Sequence, residues 1–146
     1  MKKCLFLIVA CFTFIFCNMN AKDGTDAQAL KKTTVKDYVE VLYFHGKQRC
    51  ATCMAIESNT KATMKKNFAD QIKKGKVTFK VIDISKKENE KIAEKYEVTW
   101  SSLFIVRHKN GKETYKNMTE FAFANAHKSP DVFRAGVVKS VNEMLR

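Results

Sequence analysis

Residues 39–45 (VEVLYFH) form an almost unbroken run of β-branched and aromatic side chains. Such a run predicts a strand buried on both faces. Gly46 breaks it. From residue 50 the period changes: Cys53, Ile56, Thr60, Met64, Phe68 and Ile72 recur at three- and four-residue steps, predicting one helix from 50 to about 74 that Gly75 ends. Residues 77–84 (VTFKVIDI) predict a second strand, 86–96 a short helix with Ile92 and Ala93 inward, and 102–107 (SLFIVR) a third strand. The Asn110-Gly111 pair predicts a tight hairpin into a short edge strand at 113–116. A short helix is expected at 119–127. Ser129-Pro130-Asp131 then supplies an N-cap, a proline at the first helical position and an acid in the first turn of a last helix ending at Arg146. Phe121, Phe123 and Phe133 are expected in the core.

The order is β-α-β-α-β-β-α. Its two βα crossovers favour a parallel strand pair, and the Asn-Gly turn adds an antiparallel hairpin. The predicted fold class is therefore α/β: a mixed four-stranded sheet flanked by helices on both faces, an arrangement that resembles the minimal thioredoxin architecture.

The first residues read differently. Lys2 and Lys3 precede an uncharged apolar run at 4–17 (CLFLIVACFTFIFC), and Asn18, Asn20, Lys22 and Asp23 follow at once. The run is short for a bilayer span, which takes about 20 apolar residues, and suits the core of a secretory signal. The expected organisation is a signal peptide at 1–21, with a lipoprotein signal at Cys11 or Cys17 or an uncleaved anchor as the alternatives, a polar flexible tether at 22–37 and one domain at 38–146. The domain is expected outside the cytoplasm, periplasmic or membrane-anchored, and cleavage at residue 21 would remove Cys4, Cys11 and Cys17. Two cysteines then remain, in a compartment where disulfides persist.

Composition narrows the picture little. With 146 residues, 45% hydrophobic, the chain can bury one core. One Pro and five Gly argue against a disordered or loop-rich, disulfide-stapled chain. The net charge of +12 comes from 27 Lys and Arg spread along every element, without a base-stacking aromatic array. That distribution reads as a solvated basic surface, not a nucleic-acid interface. Membrane contact is expected only through the signal or a lipid anchor, and the domain is expected to be a monomer.

The chemistry concentrates in His45-Gly46-Lys47-Gln48-Arg49-Cys50-Ala51-Thr52-Cys53, between a buried strand and a helix. A cysteine at a helix N-terminus faces unpaired N–H groups and the positive dipole end, both favouring thiolate. Cys50 is read as the nucleophile and Cys53, nearly a turn later, as the resolving thiol. Lys47 and Arg49 would tune Cys50. A purely structural bond is the competing reading, and so short a loop makes a poor stabiliser. The implied partner is a protein thiol or disulfide, or another electron donor. No organic cofactor is needed, because the dithiol is the redox group.

The strand–CATC–helix arrangement, Val81-Ile82-Asp83 and the final hairpin and helix resemble the thioredoxin superfamily over roughly 38–146. More narrowly, Tyr43-Phe44-His45-Gly46 with Arg49-Cys50-Ala51-Thr52-Cys53 resembles the ArsF family of small thioredoxin-like proteins, associated with bacterial arsenic-resistance operons. The resemblance implies a thiol-disulfide oxidoreductase. Two departures matter. Arg49 stands where thioredoxins usually have Trp. The stretch 96–103 aligns with the loop that normally carries a cis-proline, and Ser102 takes that place. A cis bond before a non-proline residue costs about 2.5–4 kcal/mol, so a trans Ser101–Ser102 bond is expected.

Trp100, Ser101 and Ser102 would then line a substrate groove, with core packing as the other reading of Trp100. The same departure leaves a polar, open edge beside the thiols. Cys50 and Cys53, with His45, become an alternative site for a soft ion such as Zn(II), Cu(I) or As(III). A strand-end histidine bonded to local backbone is the simpler reading of His45. His108 and His127 read as surface residues. A third class, a non-catalytic interaction module, would be indifferent to Cys50→Ser.

Overall fold

The computed structural model describes residues 37–146; the expected signal, nearly all of the tether, and Cys4, Cys11 and Cys17 lie outside them. The chain runs β1 (Tyr38–His45), α1 (Ala51–Asn67), α2 (Ala69–Lys73), β2 (Val77–Asp83), a 3₁₀ turn (Lys87–Asn89), α3 (Glu90–Lys95), β3 (Ser102–Lys109), β4 (Lys112–Asn117), α4 (Thr119–Asn125) and α5 (Pro130–Leu145). The sheet order is β2-β1-β3-β4, with β1 and β2 parallel and both other pairs antiparallel. This is the mixed four-stranded α/β arrangement read from the sequence.

β1 is central, and its two faces belong to two cores. Val39, Val41 and Tyr43 pack against Ile56, Met64, Phe133, Val137 and Val141 of α1 and α5. Leu42 and Phe44 pack on the opposite face against Ala93, Tyr96, Val98 and Phe104. Burial on both faces is why the run at 39–45 lacks hydrophobic alternation. Glu40 interrupts it. Its carboxylate accepts from Lys80 Nζ at 2.7 Å and lies 2.8 Å from His108 Nε2.

Four expectations need correction. The helix expected at 50–74 divides at Phe68, which leaves helical geometry (φ −128°, ψ 18°) while its side chain is 1% exposed. Keeping that ring in the core shifts the helical phase, so Ile72, expected inward, ends 39% exposed. Gly75 follows at φ +63°, a conformation that favours glycine. The helix expected at 86–96 opens as a 3₁₀ turn before α3. Ser129 precedes α5 without a side-chain capping bond; Pro130 and Asp131 begin that helix as expected. Finally, β3 runs two residues past its expected end and sets His108 opposite Tyr38. His108 therefore stacks on the Tyr38 ring, centroids 4.3 Å apart, instead of lying free at the surface. Phe133 is fully buried, whereas Phe121 and Phe123 pack at the core's edge.

The β3–β4 hairpin turns on Asn110 and Gly111, both at positive φ (53° and 74°), the geometry of a two-residue primed turn. β4 carries Glu113 back over α3. There Glu113 takes hydrogen bonds from Lys95 and, at 3.0 Å, from the Tyr96 hydroxyl. Burial alone would raise the Glu113 pKa. The Lys95 and Tyr96 bonds outweigh it and hold the carboxyl below the usual glutamate range. A folded-state pKa below the unfolded one adds stability at neutral pH that is lost as pH falls through the folded value. Glu113→Gln is therefore expected to lower the urea midpoint at pH 7. The gap from wild type should close on acidification below the usual glutamate pKa. Urea midpoints taken from pH 7 down to about 3 test this, and a gap that stays constant would refute the assignment.

Candidate functional site

β1 ends at His45, and the loop through Arg49 delivers Cys50 to the start of α1. Cys50 is the N-cap in extended geometry (φ −83°, ψ 166°), and its Sγ accepts the Cys53 backbone N–H at 3.1 Å. The first helical bond follows, from Met54 N to Cys50 O at 3.0 Å. Cys50 and Cys53 are joined in a disulfide, Cα atoms 5.0 Å apart. The two sulfurs are not equivalent. Cys50 is exposed, whereas Cys53 is 7% exposed beneath it. An attacking thiol can reach the first and not the second.

Tyr43 ties this helix start to the sheet. Its hydroxyl, buried, donates to Cys53 O at 2.7 Å. Burial pushes the Tyr43 phenol pKa up, against the pull of Arg49 and Ser101 beside it, so the phenol remains a donor at neutral pH. The Arg49 guanidinium lies over the same ring, 5.7 Å from its centroid, and is ion-paired with Glu57 in the second turn of α1. Burial would lower the Arg49 pKa, and Glu57 and Tyr43 more than reverse that. Arg49 is thus a fixed cation next to the dithiol, with most of its field offset by Glu57. Lys47 is exposed on the loop.

His45 is half-buried, with Nδ1 3.0 Å from Gly46 O, a contact with local backbone like the strand-end reading. No cluster of three or more His, Cys, Asp or Glu able to hold a metal occurs among the described residues. A soft ion would meet two sulfurs there.

The segment after α3 comes to the same end of the sheet. Ser102 opens β3 opposite Phe44, and no peptide bond among the described residues is cis, so Ser101–Ser102 is trans as expected. Ser101 and Ser102 are buried, and the Ser102 hydroxyl donates to Trp100 O at 3.1 Å. The open polar edge expected from Ser102 is therefore not formed by its hydroxyl. Trp100 is 58% exposed, which overturns its core reading. It lies on Phe123 of α4, ring centroids 5.2 Å apart, and walls a groove of about 780 Å³.

Sequence reasoning missed three contributors. Tyr43 had a signal: a tyrosine in a strand buried on both faces needs a partner for its hydroxyl. Glu57 had a weaker one, an acid two turns past an arginine-bearing loop. Thr119 had none. Its hydroxyl accepts Leu103 N–H at 3.1 Å, fixing the start of β3 to the start of α4.

No protein-family model and no curated protein matches this chain. Two solved structures share part of its path. One, titled "Structure of a malarial protein", is 21% identical over 62% of this chain and 98% of that one, with a TM-score of 0.38. The other is a thioredoxin from Thermus thermophilus, 12% identical over 73% of this chain and 72% of that one, with a TM-score of 0.45. The chain's own topology defines its class: an α/β protein with a mixed four-stranded sheet. Its distinguishing feature is a Cys-x-x-Cys disulfide that caps the helix after the central strand.

Glu57→Gln removes the charge that offsets Arg49. In the reduced protein the Cys50 thiolate should then form at lower pH. The midpoint of iodoacetamide alkylation rate against pH should move down, measured on the tryptic peptide that begins at Cys50. An unchanged midpoint would show that the Arg49–Glu57 pair does not act on Cys50, and a higher one would overturn the offset assigned to Glu57.

Proposed function

We propose that this chain is an exported thiol-disulfide oxidoreductase of the thioredoxin type, exchanging disulfides with a polypeptide partner through Cys50 and Cys53. One observation supports it above the rest: the reachable sulfur sits at a helix N-cap that hydrogen-bonds it, and the second sulfur is buried directly behind. In the oxidised form a partner thiolate attacks Cys50 Sγ. A partner–Cys50 bond forms, the Cys50–Cys53 bond breaks, and Cys53 leaves as thiolate. The partner's second thiolate then attacks its own bridged sulfur and releases Cys50. The partner gains a disulfide, and two electrons rest on the Cys50–Cys53 pair. The reverse sequence reduces a partner disulfide. Lys47 and Arg49 favour the departing thiolates, and Trp100, Ser101 and Ser102 line the approach. The proposal includes a leader at 1–21 that exports the domain and a monomeric working unit. The narrower resemblance to the ArsF family makes As(III) the soft ion to test on the same thiols.

A redox titration of the full chain in dithiol buffers is the test. Free thiols are trapped and the tryptic peptide of residues 50–61 is weighed, which separates this pair from Cys4, Cys11 and Cys17. A reversible two-electron couple between about −270 and −120 mV is expected, the range of exchange proteins. A potential below about −300 mV would mark a structural bond and overturn the proposal. Thiols that resist oxidation and hold Zn(II) or As(III) would replace it with the ion-binding reading.

A further inference from the structure

The groove walled by Trp100 has an unusual composition for this chain. Lys and Arg outnumber Asp and Glu by 27 to 15 overall, yet neither Lys nor Arg lines the groove. Its charged residues are Glu97 and Glu120, both exposed and without a side-chain ion pair among the described residues. Its apolar surface is largely aromatic. Tyr115, 57% exposed, lies edge-on to Tyr96 and Phe104 across the groove from the Trp100–Phe123 pair. Lys95, the nearest base on α3, is turned to the Tyr96 ring and bonded to Glu113.

Exposed aromatic faces and unpaired carboxylates suit one kind of side chain. A lysine or arginine lays its aliphatic stem along the rings, meets their negative faces with its charge, and finds a carboxylate beyond. Neither cysteine lines the groove, and its link to the dithiol runs through Ser101 and Ser102. Ser102 lines the groove and pairs with Phe44 next to His45, while Ser101 lies beside Tyr43, whose hydroxyl holds Cys53. Glu97 adds a further observation. It sits at φ +53°, just past α3, where glycine or asparagine is the usual residue. Local backbone preference does not account for a glutamate there.

We infer that the groove binds an extended polypeptide segment carrying lysine or arginine close to its reacting cysteine, so that Glu97, Glu120 and Trp100 select basic partners. Calling that segment a substrate rests on the redox reading; the binding preference does not. The inference runs against the molecule's overall field. A net charge of +12 attracts acidic peptides at long range, so a basic preference has to arise inside the groove.

The test uses the oxidised full chain and synthetic heptapeptides of glycine and serine, without cysteine, carrying two lysines, two glutamines or two glutamates. Trp100 is the sole tryptophan, so its fluorescence reports occupancy of the groove. In low salt the lysine peptide is expected to bind about five- to tenfold more tightly than the glutamine peptide, with the glutamate peptide weakest. The double variant Glu97→Gln/Glu120→Gln should lose this order, and Glu120→Lys should reverse it, with urea midpoints showing that each is folded. Equal or tighter binding of the glutamine or glutamate peptide overturns the inference. So does a lysine preference that survives the double change, or no response to the lysine peptide at about 1 mM. Exchange of the reduced wild-type chain with 2-hydroxyethyl disulfide, which carries no charge, reports the dithiol alone. Failure there sinks the redox reading, while the order of peptide binding decides the groove.

Discussion

The hydrogen bond from the Tyr43 hydroxyl to the Cys53 carbonyl is the contact through which the sheet controls the dithiol. β1 is flanked by strands on both sides and buried on both faces, so it has little freedom to shift without disturbing two cores. Tyr43 lies three residues before the loop that carries Arg49 and Cys50, and it reaches across to the first turn of α1. A buried hydroxyl without a partner would cost about 1–3 kcal/mol. The helix start is therefore held where the strand's end places it. The positions of Cys50 and Cys53 at the head of α1 follow from that anchor.

The electrostatics at Cys50 separate into a durable part and an adjustable one. The helix end and the Cys53 N–H act on Cys50 Sγ through fixed backbone geometry. A helix terminus contributes typically 0.3–1 kcal/mol, up to about 2 where partly buried, against about 1.4 kcal/mol per unit of pKa. Arg49 would add to this as a lone cation. Paired with Glu57, it contributes the field of a near-neutral dipole, which falls off faster than that of a charge. The backbone term dominates at rest. The Arg49–Glu57 pair is the part that a nearby charge or an approaching partner can alter.

The elements and their order were legible because each carries a local signal: the apolar run at 39–45, the Asn110-Gly111 turn, the proline at the head of α5. The dithiol's setting was legible for the same reason, since a motif between a strand and a helix has its geometry dictated by its neighbours in sequence. Ile72, His108, Ser102 and Trp100 were misread or left open, and they share a cause. Each depends on a contact whose partner is distant in sequence or whose phase is set by another residue. Phe68 turned Ile72 outward, a longer β3 brought His108 to Tyr38 and Glu40, and Phe123 of α4 gave Trp100 a ring to lie on while leaving it open to solvent. Period and composition do not encode such pairings.

The loop at 97–102 shows how the surface before a strand can vary without loosening the strand's start. With serine at 102 and no cis bond, the segment still enters β3 in register with β1, because Leu103 N–H finds the Thr119 hydroxyl and Met118 N–H finds Leu103 O. Those two bonds secure the strand's start independently of the residue at 102. The surface just before it is then free to vary, and here it carries an exposed indole and a glutamate in left-handed geometry. At 0.15 M salt the Debye length is about 8 Å, so the molecule's net positive charge is heavily screened for a partner still in solution. Charges lining a groove act at contact distance, where screening is weakest. The field inside the groove is therefore set by Glu97 and Glu120 on its own walls more than by the chain's overall charge.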